Sequence, residues 1–177
     1  EIMDSVRNSK KGFTFIEVIV YVAVFSVIML AALAFLFWAI RLHATTKATQ
    51  ETLENAERAM NQMVLEIRAA KSFYTPTASS TQLSLETSKY LPEGETSSFI
   101  DFFLCETRLC LKKESQNPVA LTSDDVEITN LEFVEVATAT TTPSMHITLT
   151  AEYKNPGNQS ELEASVTLDS TVSLRSY

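Results

Sequence analysis

Apolar and polar positions divide the chain into three stretches with different periods. From Val18 to Ile40 there is no period: the 23 residues VIVYVAVFSVIMLAALAFLFWAI carry no charge, no Gly and no Pro. A helix of that length is about 35 Å long, against a hydrocarbon core of roughly 30 Å. It is apolar on all sides, so it has no polar face to turn to water. The core helix of a soluble protein is the competing reading, but such helices rarely run this long uninterrupted. The run is also too long for the apolar region of a secretory signal peptide. The Ala-x-Ala match before Arg41, Ala32-Leu33-Ala34, lies inside the run and not after it. The pattern predicts a membrane anchor. Arg7, Lys10 and Lys11 on one flank, against Arg41 and Lys47 on the other, place the N-terminus in the cytoplasm.

Beyond Ile40 a helical period appears. Ala44 to Thr52 is rich in Thr and small residues and is a weak helix former. Leu53, Ala56, Met60, Met63, Val64, Ile67 and Ala70 then recur at spacings of three and four, which is one apolar stripe. The methionines read as core filler. Glu54 and Arg58 form an i,i+4 pair on the other side, and Arg58, Arg68 and Lys71 read as solvated side chains. Pro76 and the Thr-Ala-Ser-Ser that follows end the helix. From residue 80 the period is two. Gln82 to Glu86 alternates, and Phe99 to Cys105 with Leu109 to Lys113 reads as a hairpin. Val126 to Val136, Ser144 to Tyr153 and Leu162 to Leu174 alternate or carry runs of Thr and Val. Pro92, Pro118, Pro143 and Pro156 separate these runs as turn residues. Thr138 to Thr142 reads as a loop, and no internal repeat is visible. The prediction is an α+β chain: a long N-terminal helix, then one antiparallel sheet whose inner face packs on the stripe from Leu53 to Ala70.

Composition narrows the chemistry. The three glycines, Gly12, Gly94 and Gly157, are isolated, which excludes a P-loop or a dinucleotide-binding GxGxxG. His43 and His146 stand far apart, and with two cysteines they cannot build a Cys/His zinc cluster. No nucleophile, base and orienting group form a recognisable set, so neither an enzyme nor a cofactor or metal is predicted. The net charge is -8, and residues 74–177 hold fifteen acidic against six basic side chains. Such a field argues against direct nucleic-acid binding. Cys105 and Cys110 bracket Glu-Thr-Arg-Leu. With Thr107-Arg108 at a turn they would face each other within disulfide range. Two buried free thiols are the other reading, because Thr-Arg is not a preferred two-residue turn.

Glu17 does not suit a plain anchor. It lies between Phe15-Ile16 and Val18-Ile19, at the edge of the apolar run. A carboxylate there is costly unless it finds a cationic partner or reaches the headgroups. The surrounding residues Lys10-Lys11-Gly12-Phe13-Thr14-Phe15-Ile16-Glu17-Val18 resemble the processing site of type IV pilins and of the pseudopilins of type II secretion and competence systems. The resemblance implies that a prepilin peptidase cuts after Gly12 and that Phe13 becomes the N-methylated new N-terminus. It also supplies a partner for Glu17, namely the N-terminal amine of a neighbouring subunit. The expected partners are therefore other pilin or pseudopilin subunits, the prepilin peptidase, membrane lipid before assembly and an inner-membrane assembly platform.

On this resemblance the chain divides into a cytoplasmic leader at 1–12, a transmembrane and assembly helix at 13–40, an amphipathic continuation at 41–72, and a β domain at 73–177. The β domain would lie outside the cytoplasm, first on the inner membrane and then on a pilus or pseudopilus. The chain length and the Arg58 to Arg68 stretch are most similar to minor pseudopilins of the J type and related minor pilins. One departure is that no proline interrupts the apolar helix, whereas many major pilins carry one there. Some pseudopilins bind calcium, but Asp124-Asp125 without a ligand loop reads as a solvated turn. Met3 is a candidate start, which leaves the true first residue open. The alternative is a single-pass, signal-anchored protein whose β domain acts as a monomeric adhesin or sensor. Gly12 and Glu17 discriminate, since a plain anchor needs neither.

Overall fold

Residues 12–74, 79–91, 93–136 and 143–175 are described by a computed structural model of the chain. It divides into two compact units, Glu1–Leu42 and His43–Tyr177. The described residues hold one α-helix, α1 (Phe15–Ala69), which begins in the first unit and ends in the second. Lys10-Lys11, Pro76, Pro92 and the Thr run at 138–142 lie outside the described residues.

In the first unit α1 has no buried residue along its membrane-length apolar stretch. Phe25 is 64% exposed and Trp38 59%. Ser26 returns its hydroxyl to the Val22 carbonyl oxygen at 2.7 Å, which satisfies it within the helix.

In the second unit the Thr-rich stretch continues the helix without a break. Thr49 donates to the Thr45 carbonyl oxygen at 3.0 Å, and Thr52 to that of Ala48 at 2.8 Å. A hydroxyl bonded to the i−4 carbonyl is satisfied inside the helix, so Thr52 can be fully buried. The buried face runs through Ala48, Thr52, Ala56, Ala59, Met60, Met63, Ile67 and Ala70. Leu53, expected on this stripe, lies one position off it and is 37% exposed. The expected pairing of Glu54 with Arg58 does not form either. Glu54 accepts from Gln50 at 2.7 Å, and Arg58 turns to the Asn55 side-chain oxygen at 2.9 Å. That oxygen is drawn inward: it also accepts the Ser123 backbone N–H at 2.9 Å, while the Asn55 amide donates to Glu51 O at 2.8 Å.

The strands form two sheets, not the single sheet expected. The first is antiparallel, in the order β1 (Ser72–Phe73), β2 (Leu83–Thr87), β3 (Ser98–Cys105), β4 (Arg108–Lys113), β5 (Val119–Ala120). The second is β6 (Val126–Val136), β7 (Ser144–Tyr153), β8 (Ser165–Ser173), also antiparallel. β1 and β5, at two residues each, are too short to show a period. The β6 backbone bonds the first sheet's turns instead of its strands: Ile128 donates to Thr107 O at 2.7 Å and Phe133 to Ser80 O at 2.8 Å. A bulge between Ile128 and Asn130 shifts the inward phase from Val126 and Ile128 to Leu131 and Phe133. Leu162 does not begin a strand but closes a 3-10 turn, Ser160–Leu162. Asn155 binds both the N–H and the carbonyl of Gln159 there, at 2.9 and 2.7 Å. One hydrophobic core joins the helix and both sheets: Met63 and Ile67 meet Leu83, Ile100 and Phe102, with Ile147 and Leu149.

Candidate processing and assembly site

Gly12, Phe13 and Thr14 precede α1 and are exposed. A Cβ added at Gly12 would meet no atom within 4 Å, so packing within the chain does not require a glycine there. Phe13 is 76% exposed.

Thr14 starts the helix. Its hydroxyl accepts the Glu17 N–H at 3.4 Å, and its carbonyl accepts the Val18 N–H at 3.2 Å. Thr14-x-x-Glu17 therefore has capping-box spacing. The carboxylate itself runs along the helix and accepts the Tyr21 hydroxyl at 3.1 Å. Tyr21 also meets the Phe13 ring edge-on, with centroids 6.4 Å apart. Tyr21 is a second member that the sequence reading missed; its i+4 spacing from Glu17 was the available signal. Among the described residues no cation lies within ion-pair distance of Glu17.

Residues 7–33 match the family model described as the prokaryotic N-terminal methylation motif. The chain carries a prepilin-type methylation motif. No curated protein matches the chain, and no solved structure does. The methylation motif supports the type IV pilin and pseudopilin family and indicates a structural subunit. A motif of this kind implies processing by a prepilin peptidase and assembly with other pilin subunits. With a single N-terminal apolar helix, it fits a pilin anchored in the inner membrane. The α+β order, a long apolar helix followed by antiparallel sheets, is pilin-like.

The cysteines lie far along the chain from the methylation motif, at the end of a hairpin. Cys105 and Cys110 form a disulfide, with Cα atoms 5.8 Å apart. The turn is Glu106-Thr107, not Thr107-Arg108: Cys105 lies opposite Arg108, and Cys110 opposite Phe103. The bond is therefore diagonal across the ladder. Glu106 takes φ 59°, so the left-handed residue sits at the first turn position, as in a type II′ hairpin. Asp124, expected as part of a solvated turn, forms an ion pair with Arg108 on this hairpin. The Asp125 carbonyl accepts the Lys154 N–H at 2.8 Å.

Proposed function

We propose that this chain is a minor subunit, priming or at the tip, of a type IV pilus-like or type II secretion pseudopilus filament. One observation carries the reading. Among the described residues Glu17 has no cationic partner, and it stands at the edge of an apolar helical stretch with no buried residue. Cleavage after Gly12 removes the leader at 1–12 and leaves an ammonium group on Phe13. In a filament that ammonium pairs with Glu17 of a neighbour, and the two desolvated charges offset each other. The pair sets the axial register. The surface from Val18 to Ile40 faces lipid first and other helices afterwards.

Residues 13–40 thus span the membrane with the N-terminus in the cytoplasm, residues 41–72 continue the helix, and residues 73–177 form the extracytoplasmic β domain. An inner-membrane platform moves the subunit from lipid to filament. Support for a minor role is the absence of proline from the apolar helix and the Arg58 to Arg68 stretch. The test is the N-terminal sequence and intact mass of protein made alongside a prepilin peptidase. The expected chain begins at Phe13 and carries one methyl group. A chain that keeps Lys10 and Lys11 returns the protein to the reading of a monomeric, signal-anchored adhesin or sensor.

A further inference from the structure

The second unit is acidic, with 19 acidic against 10 basic side chains from His43 to Tyr177. Most of its cations are already engaged. Lys47 pairs with Glu51, Lys71 with Glu86, Arg108 with Asp124 and Lys154 with Glu127. Arg58 donates to Asn55, and Lys113 lies over the Tyr90 ring at 4.0 Å. Arg68 and Lys89, like Lys112, differ: among the described residues their charged groups make no ion pair or hydrogen bond. Arg68 and Lys89 line one open cavity of about 670 Å³, formed by the last turn of α1, the loop after β2 and the end of β8. Arg175 lines it too, with Leu65, Ala69, Ser173 and Leu174, and among the described residues no acidic side chain does. Three cations thus converge on a unit whose net charge is negative. Leu65 stands at this site 61% exposed, an apolar shoulder beside the charges.

We infer that this cavity is a docking site for an acidic segment of another filament subunit, whose carboxylates meet Arg68 and Lys89 while an apolar side chain covers Leu65. The inference rests on the subunit reading above. Charge complementarity favours a protein carboxylate over a compact phosphate. The cavity lies at the C-terminal end of α1, where the helix carbonyls carry partial negative charge, and a phosphate dianion suits the opposite end of a helix. Two cations on separate elements, in a cavity also lined by Leu65, Ala69 and Leu174, suit separated monoanions on a side-chain-bearing segment. Partners in such a contact are also chosen by repulsion, since this unit carries a net negative charge that disfavours an acidic segment elsewhere on it.

The test uses the full chain in membranes, made together with the filament subunits encoded beside it. A photo-reactive phenylalanine analogue replaces Leu65, and in a second protein it replaces Val27 on the apolar helix. The Leu65 product is expected to map to a Glu- or Asp-bearing segment of another subunit. Its yield should fall about tenfold in Arg68→Glu/Lys89→Glu, and should weaken as salt rises from roughly 0.05 to 0.5 M. It should persist in Arg68→Lys/Lys89→Arg and return when the mapped acid of the partner is changed to Lys. A urea midpoint in detergent equal to that of the parent checks that the charge-reversed variant folds. Undiminished crosslinking in the charge-reversed variant overturns the inference, as do products only to lipid or to this chain's own last residues. Subunit products at Val27 but none at Leu65 sink this inference alone. If neither position yields a subunit product, the subunit reading fails with it.

Discussion

Glu17 and Asn55 are polar residues on the same helix, and their surroundings give them opposite roles. Asn55 is 9% exposed and fully engaged, holding Glu51, Arg58 and the backbone at Ser123. Asn55→Ala leaves the Ser123 N–H without its acceptor, at a cost of about 1–3 kcal/mol. A urea titration of the full chain in detergent should show a lower midpoint, and Asn55→Asp, which keeps the acceptor, should recover part of it. An unchanged midpoint in Asn55→Ala would mean that water replaces the amide there. Glu17 holds only its own helix, through Tyr21. Glu17→Gln should leave membrane insertion intact, because it removes a charge from the apolar edge. Cleavage after Gly12 should persist, since the scissile bond is unchanged. Co-purification with filament partners, scored against the amount in the membrane, should drop sharply. The neighbour's Phe13 ammonium would be left buried and unpaired, which costs about 3–5 kcal/mol. Equal assembly of Glu17→Gln and the parent would reduce the carboxylate to an interfacial residue that reaches the headgroups and would favour the signal-anchor reading.

Among the elements, the hairpin β3–β4 carries the disulfide. The closed loop is short, with a sequence separation of 5. Its effect on the unfolded chain is therefore modest, below the roughly 3 kcal/mol associated with a 15-residue loop. Alkylation without reductant should leave both cysteines unmodified in the folded and the urea-unfolded protein. Two labelled thiols in the unfolded sample would show that the bond is absent. The hairpin also shows why local composition does not place its turn. Thr107-Arg108 and Glu106-Thr107 are equally unfavoured by composition, and a one-residue shift changes which side chains face each other. Leu109, Cys110 and Leu111 are all buried, so burial along β4 does not choose between the two turns either. The division into two sheets has a similar origin. Nothing local in Val126 to Val136 tells which strands it will join. Its bonds to Thr107 and Ser80 are long-range and form only once the first sheet and its turns exist.

For the whole molecule, the exposed apolar helix dominates behaviour in solution. No residue of its membrane-length stretch is buried, so water is not its medium. The full chain should stay with membranes through an alkaline carbonate wash and come away only with detergent. Release by carbonate alone would show that the helix is covered by protein instead of lipid. What the sequence determined alone is the content of this helix and its flank. A membrane-length apolar run, Gly12-Phe13 and Glu17 are local features, and a helix satisfies its backbone hydrogen bonds within itself. The existence and approximate limits of β3, β4, β6 and β7 were legible for the same reason, since alternation is a property of one strand. What only the tertiary structure decided is pairing and burial: two sheets, a diagonal disulfide, Asn55 turned inward and Leu53 left out. It also decided the convergence of Arg68, Lys89 and Arg175, three cations spread over more than a hundred residues of sequence. These depend on which distant segments share the core, and a periodic pattern holds no information about its partners.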